Sequence, residues 1–167
     1  MIKVISILKI QNMGKLIVRG LVSGFLIGLL DAIAAVGHAY YFSKVGPSGV
    51  FQYIASGWFG NEAFASNDLI GFGVLFHFLI ATIWTNLFFV LYKKFSIVRK
   101  RILISGIVYG FLLWSSMSFF VIPLSNAPIL PFPLIPTIAM IGIHILIGLA
   151  IAFVSSKTVE SREYIHR

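Results

Sequence analysis

Residues 93–101 read KKFSIVRKR and lie between two apolar runs that cover residues 69–92 and 102–123. Two further apolar runs cover residues 18–42 and 134–155. Each run has roughly the length, about 20 residues, that a helix needs to cross the hydrocarbon core of a bilayer. The sequence therefore predicts an all-α protein, a bundle of four transmembrane helices.

Nearly all basic residues occur on one side of the predicted spans. Twelve of them precede the first run, fill the loop between the second and third runs, or follow the fourth run: Lys3, Lys9, Lys15, Arg19, Lys93, Lys94, Arg99, Lys100, Arg101, Lys157, Arg162 and Arg167. The two alternate connections hold Lys44 beside the acidic Glu62 and Asp68. Because basic loops are retained in the cytoplasm, we predict that both termini and the middle loop lie on that side.

The composition excludes several classes of protein. Of the 167 residues, 59% are hydrophobic and 11% charged, which is far from the balance of a soluble domain. The net charge of +8 flanks apolar spans and forms no basic stripe with exposed aromatics, so nucleic acid is not a predicted partner. The predicted partners are the lipid bilayer and its anionic headgroups. Since cysteine is absent, disulfides and thiolate sites are excluded.

The length fits one membrane domain without a separate soluble domain. We expect residues 1–15 to form a basic, amphipathic lead on the cytoplasmic interface. Residues 16–157 are the four-helix transmembrane domain, and residues 158–167 are a polar cytoplasmic tail.

Small residues recur every four positions in two of the spans. The first span has Gly20, Gly24 and Gly28, and the third has Gly106 and Gly110. This spacing places them on one helical face, where a neighbouring backbone can approach closely. We expect this packing to lie within the bundle; a homo-oligomer formed through the first span is the alternative.

The two connections opposite the basic side are rich in aromatic residues or proline. In residues 43–68, Pro47 starts a predicted helix with Ser48 as its cap, and the helix runs to Gly57. This helix either anchors in the membrane interface or folds back as a lid over the bundle. The prolines of residues 123–133 predict an extended or turning chain.

Ionisable and hydroxyl groups converge in the half of the membrane away from the basic side. A rise of about 1.5 Å per residue places Asp31, His77 and His144 about 12–16 Å below that surface. Ser115 and Ser116 of the third span lie at comparable or shallower depth. Charged groups at such depth are costly, so they usually face the bundle interior.

Two further polar residues are secondary candidates. His38 lies two helical turns after Asp31 on roughly the same face, close to the membrane surface. Asn86 lies deeper in the second span and is typical of hydrogen bonding between helices.

Three roles compete for the layer formed by Asp31, His77 and His144. It can be a polar network that fixes helix packing, a pathway for protons, ions or small solutes, or a ligand set for a divalent metal or a haem. No cofactor is predicted, and the metal assignment stays open among these three residues. Without a hydrolase, phosphate-binding or zinc-protease motif, the sequence does not predict an enzyme.

Several short segments resemble a family of membrane proteins. They are the glycine-rich part of the first span that leads to Asp31, residues 51–57 (FQYIASG), residues 77–81 (HFLIA), Tyr109-Gly110, Pro123-Leu124-Ser125 and His144. Over residues 18–155 they resemble uncharacterised bacterial four-span inner-membrane proteins, the YagU-like family. The resemblance implies a location in the bacterial cytoplasmic membrane, and it implies no established activity and no catalytic residue.

Overall fold

The structure, a computed structural model, describes the backbone of residues 2–160 and the side chains of residues 18–158. All regular structure within residues 2–160 is helical, which confirms the predicted all-α class. Four helices are long: α1 (Ile2–Ser43), α3 (Ile70–Lys94), α5 (Ile102–Ser116) and α7 (Leu134–Glu160). The shorter helices are α2 (Pro47–Phe59), α4 (Ser96–Lys100) and α6 (Ile122–Leu124).

The first and last helices are longer than the predicted apolar runs. Helix α1 includes most of residues 1–15, although the predicted interfacial position of that lead depends on side chains outside the described residues. Helix α7 continues to Glu160. The rest of the predicted polar tail, residues 161–167, lies outside the described residues.

Four segments are long and apolar enough to cross a membrane: Val18–Ser43, Asn67–Lys94, Ile102–Leu124 and Leu134–Thr158. Their outward faces are apolar, with large exposed side chains such as Leu21, Leu79, Leu103 and Phe153. The four helices therefore fit an integral membrane protein that crosses the bilayer several times. We call the end with Arg19 and residues 93–101 the basic end, and the opposite end the far end.

Helix α3 packs closely against the glycine stripe of α1, which consists of Gly20, Gly24 and Gly28. A Cβ atom added to Gly24 would lie 2.6 Å from the Cα of Thr82, and one added to Gly28 would lie 2.9 Å from the ring of Phe78. Gly20 faces Asn86 in the same way. In the structure, the glycine stripe is therefore covered by α3 of the same chain. This is the packing expected within the bundle, and a homo-oligomer formed through the first span was the alternative.

Helices α5 and α7 approach even more closely. A Cβ atom on Gly110 would overlap the carbonyl oxygen of His144, and one on Gly148 would overlap that of Gly106. By contrast, a Cβ atom added to Gly142 would meet nothing within 4 Å. Backbone contact at three glycines therefore joins the second pair of spans.

The buried core lies between the helices towards the basic end and joins the two pairs. Its fully described members are Ile27, Phe88, Tyr92, Tyr109, Leu113, Ile147, Ile151 and Ala152. Tyr109 connects α5 to α3: its hydroxyl donates to the carbonyl of Trp84 at 2.7 Å, and its ring packs edge-on against Phe88 at 4.8 Å. Such a phenol satisfies its polar group while its ring contributes apolar area.

Helix α2 begins where the sequence predicts but is capped differently. Pro47 occupies its first turn, where the missing N–H of proline costs little. The residue at the cap position is Gly46, without a side-chain hydrogen bond, so the prediction that Ser48 caps the helix is wrong. The helix also continues past Gly57 to Phe59.

The prediction that the chain becomes extended at Pro123 is wrong by two residues. Helix α5 continues through a π-helical turn, Met117–Val121, and then through α6, which contains Pro123. A proline inside an α-helix removes a hydrogen bond and collides with the carbonyl four residues earlier. The π-helical turn directly before Pro123 changes the local hydrogen-bond spacing, so the helix can include the ring. Residues 125–133 are non-helical, as predicted.

The two far-end connections bind each other. The backbone N–H of Asn126 donates to Gly57 O at 3.0 Å, and its side-chain amide donates to Trp58 O at 3.0 Å. These bonds satisfy carbonyls at the C-terminus of α2, which lack partners within the helix. The hydroxyl of Tyr53 donates to Pro128 O at 3.1 Å, and burial raises the pKa of this phenol, so it remains a donor at neutral pH.

The α5–α7 contact predicts opposite effects for two alanine substitutions. Gly110→Ala should lower the free energy of unfolding by about 1–3 kcal/mol, because the new methyl group overlaps backbone of α7. Gly142→Ala should leave it unchanged or raise it by up to about 1 kcal/mol, the gain in helix propensity. Thermal unfolding of the two variants in detergent measures the difference, and equal midpoints would contradict the contact.

Candidate functional site

His77 of α3 is the buried polar group that joins α3 to the middle of α1. It is 9% exposed, and its Nε2 lies 2.8 Å from the carbonyl oxygen of Gly28. Because a carbonyl oxygen only accepts, Nε2 must carry a proton in this contact. Gly28 permits the contact because its missing side chain leaves the carbonyl accessible to the ring.

Asp31 lies one helical turn after Gly28 and beside the same ring nitrogen. Its Oδ2 is 4.0 Å from Nε2 of His77, which is an ion-pair distance but too long for a hydrogen bond. The Asp31 side chain is 24% exposed. Among the described residues, this contact with His77 is its one polar interaction. The structure therefore brings together two of the three ionisable residues that the sequence groups.

Aromatic side chains surround the His77 ring. Phe78 packs against it edge-on at 5.4 Å, and Phe51 of α2 does so at 6.1 Å. The backbone of Phe51 rests on Gly73, where any side chain would overlap its carbonyl oxygen. Helix α2 thus packs over His77, which favours the predicted lid over the interfacial anchor.

The remaining members of the predicted layer point to other partners. Nδ1 of His144 lies 3.0 Å from Met140 O, a carbonyl of its own helix. Ser115 donates to Phe111 O at 2.8 Å, also within its own helix, and Ser116 is half-buried at the end of α5. The described contacts join none of these three residues to Asp31 or His77.

The candidate metal ligands do not form a three-ligand group. Within the described part of the chain, no three His, Cys, Asp or Glu side chains come together as a metal ion would require. His77 and His144 also engage different ring nitrogens in hydrogen bonds, Nε2 in one and Nδ1 in the other. The geometry therefore supports a carboxylate–imidazole pair.

The two secondary candidates both connect helices. His38 contacts the carbonyl of Pro136 through Nε2 at 2.9 Å, so it links α1 to the first turn of α7. Asn86 donates to Thr82 O at 2.8 Å and to Gly20 O at 3.3 Å. Asn86 thus bonds to a glycine carbonyl of α1, as His77 does at Gly28 two helical turns away.

Sequence reasoning missed the contact of α2 with the pair. Gly73 lies four residues before His77 in a stretch that is otherwise apolar, GFGVLFHF (residues 71–78). A glycine inside a helix, one turn from a buried polar residue, is a signal for close approach of another backbone. The sequence did not indicate which segment approaches, because Phe51 lies in a separate helix.

No family model, no curated protein and no solved structure matches this chain. The interpretation of the site therefore depends on its geometry.

The hydrogen bond between His77 and Gly28 predicts a measurable contribution to stability. His77→Leu should lower the free energy of unfolding by about 0.6 kcal/mol and by no more than about 1.7 kcal/mol, the average and the maximum for polar contacts between membrane helices. Ser115→Ala is the matched control, because its hydroxyl bonds only within α5. Thermal unfolding in detergent compares the two, and a loss in Ser115→Ala as large as in His77→Leu would contradict the assignment.

Proposed function

We propose that this chain is a non-enzymatic multi-pass protein of the bacterial cytoplasmic membrane, with both termini in the cytoplasm, and that Asp31 and His77 bind and release a proton within its bundle. The one-sided distribution of basic residues supports the orientation. The bacterial cytoplasmic membrane is the location that the YagU-like resemblance implies. The site carries the functional part of the proposal.

The decisive observation is that Asp31 makes few contacts that could offset the free-energy cost of its charge within the membrane. A charged carboxylate in the middle of a bilayer costs about 2.5–3.5 kcal/mol on insertion scales. Structural carboxylates recover such a cost through hydrogen bonds, yet the one polar contact of Asp31 in the described structure is 4.0 Å long. Intramembrane acidic residues of this kind mark proton and ion sites.

His77 adds a second protonation site in contact with the first. Its Nε2 proton is held by Gly28 O, so a further proton is taken up at Nδ1. The resulting imidazolium has its Nε2 4.0 Å from the Asp31 carboxylate and is attracted to it. The two proton-accepting groups are therefore neighbouring side chains, as a proton relay requires.

Access to His77 from the far end is controlled by α2. Phe51 lies against the His77 ring on the far-end side of the bundle, and its backbone packs on Gly73. A small outward movement of α2 would separate both contacts and admit water to His77. In this scheme protons enter from the far end.

A structural or assembly role is the second candidate, and two contacts favour it. His77 and Asn86 both donate to glycine carbonyls of α1, Gly28 and Gly20, and so hold α1 and α3 in one register. This role explains His77 without assigning any task to Asp31.

The substitution Asp31→Asn separates the two candidates. A proton site predicts that the variant loses pH-driven proton flux in liposomes containing a trapped pH-sensitive dye. Its thermal midpoint in detergent should be unchanged or higher, because a costly charge has been removed. Ser115→Ala serves as the control and should retain wild-type flux.

One combination of results would contradict the proton site. Wild-type protein with no flux above empty liposomes, together with a lower midpoint for Asp31→Asn, would overturn the proton site and leave the structural role.

A further inference from the structure

The second connection at the far end, which joins α6 to α7, carries no charge. Between Arg101 and Lys157 the sequence contains no aspartate, glutamate, lysine or arginine. The first connection at that end, residues 43–68, carries one lysine and two acidic residues. We propose that residues 129–135 are inserted into the surface of the bilayer at the far end, and that their partner is the boundary between lipid headgroups and acyl chains.

The side chains of this segment are turned outwards. Its large apolar residues are each exposed over more than half of their surface: Ile129, Leu130, Phe132, Leu134 and Ile135. If the connection projected from the membrane, this patch would be in contact with water, which is unfavourable for apolar surface. Lipid removes that cost, and the outward faces of the four spans carry the same kind of exposed side chain.

Two contacts place the C-terminal part of the segment below the ends of the spans. The ring of Phe132 packs against that of Phe119, five residues before the third apolar segment ends at Leu124. The carbonyl oxygen of Pro136 lies 2.9 Å from Nε2 of His38, which precedes the end of the first apolar segment by five residues. Five helical residues correspond to about 7 Å along the axis. The chain therefore folds back along the bundle, to the depth of the last helical turns.

The contact with Phe119 lies on the outer surface of the bundle. The Phe119 side chain is 57% exposed, and its ring also packs edge-on against that of Trp114 at 5.5 Å. Phe132 thus extends a row of aromatic rings that begins on the outward face of α5. The segment is continuous with the surface that the spans present to lipid.

Exposed tyrosines mark the level of the membrane surface beside this segment. Tyr40 and Tyr41 lie in the last turn of α1, and both are exposed. Tyrosine is enriched at membrane–water interfaces, where its ring lies at the level of the headgroups. Since His38 contacts Pro136, the start of α7 at Leu134 lies close to the height of these two tyrosines.

The polar groups of the connection are directed towards the protein. The N–H groups of residues 125–127 are hydrogen-bonded, and Asn126 and Pro128 bond to α2. Pro128, Pro131 and Pro133 have no N–H group. Because an unpaired N–H is costly in lipid, these prolines suit a segment at the membrane surface. The connection thus presents its polar groups to α2 and its apolar side chains to lipid.

Spin labels test the proposal, because the sequence has no cysteine and each label can be attached to a single introduced one. The variants are Ile129→Cys and Leu134→Cys, with Asn61→Cys in the first connection as the matched control. In liposomes, both labels of the second connection should collide more often with oxygen, which partitions into lipid, than with a water-soluble nickel chelate. The logarithm of the ratio of these collision rates should be positive at both sites and negative at the control.

Two results would overturn the proposal. A ratio at either site as low as that of the control would place the segment in water. Low collision rates with both reagents would show that protein covers the segment, and dipolar broadening that disappears on dilution with unlabelled chain would identify a second copy as the cover. Because Ile129 and Leu134 are exposed, labelling leaves the packing within the chain intact. These outcomes do not depend on Asp31 or His77.

Discussion

The close approach of backbones at glycines is the constraint on which the rest of this bundle depends. In lipid there is little hydrophobic drive between helices, so association relies on packing and hydrogen bonding. Gly28 illustrates both effects, because its missing side chain lets α3 approach and also leaves a carbonyl that His77 can reach. The α5–α7 pair is joined by close packing at Gly110 and Gly148, and the side chains described there add no hydrogen bond between the two helices. The position of the ionisable pair is therefore a product of helix packing.

The two residues of the pair have different surroundings. His77 is buried and hydrogen-bonded, as expected of a polar group that joins membrane helices. Asp31 is partly exposed and retains a 4.0 Å contact. The proposed proton site rests on this difference.

The sequence was sufficient for the spans because their signals are local. Apolar length and one-sided charge need no knowledge of neighbours, and the four membrane-spanning segments begin and end within a few residues of the predicted runs. The predicted site was less complete, because depth along a helix does not determine which way a side chain points. His144 lies on the predicted span but bonds to Met140 of its own helix. Pro123 is a second example, since the proline does not by itself indicate that a π-helical turn precedes it.

The bonds between the far-end connections have a consequence for biosynthesis. The last carbonyls of α2 are capped by Asn126, which the ribosome adds only after the whole third apolar segment. The first helical hairpin can pack α2 against α3 through Phe51 and Gly73 before that segment exists. The hydrogen bonds that complete the C-terminus of α2 become available only once the third apolar segment has been synthesised.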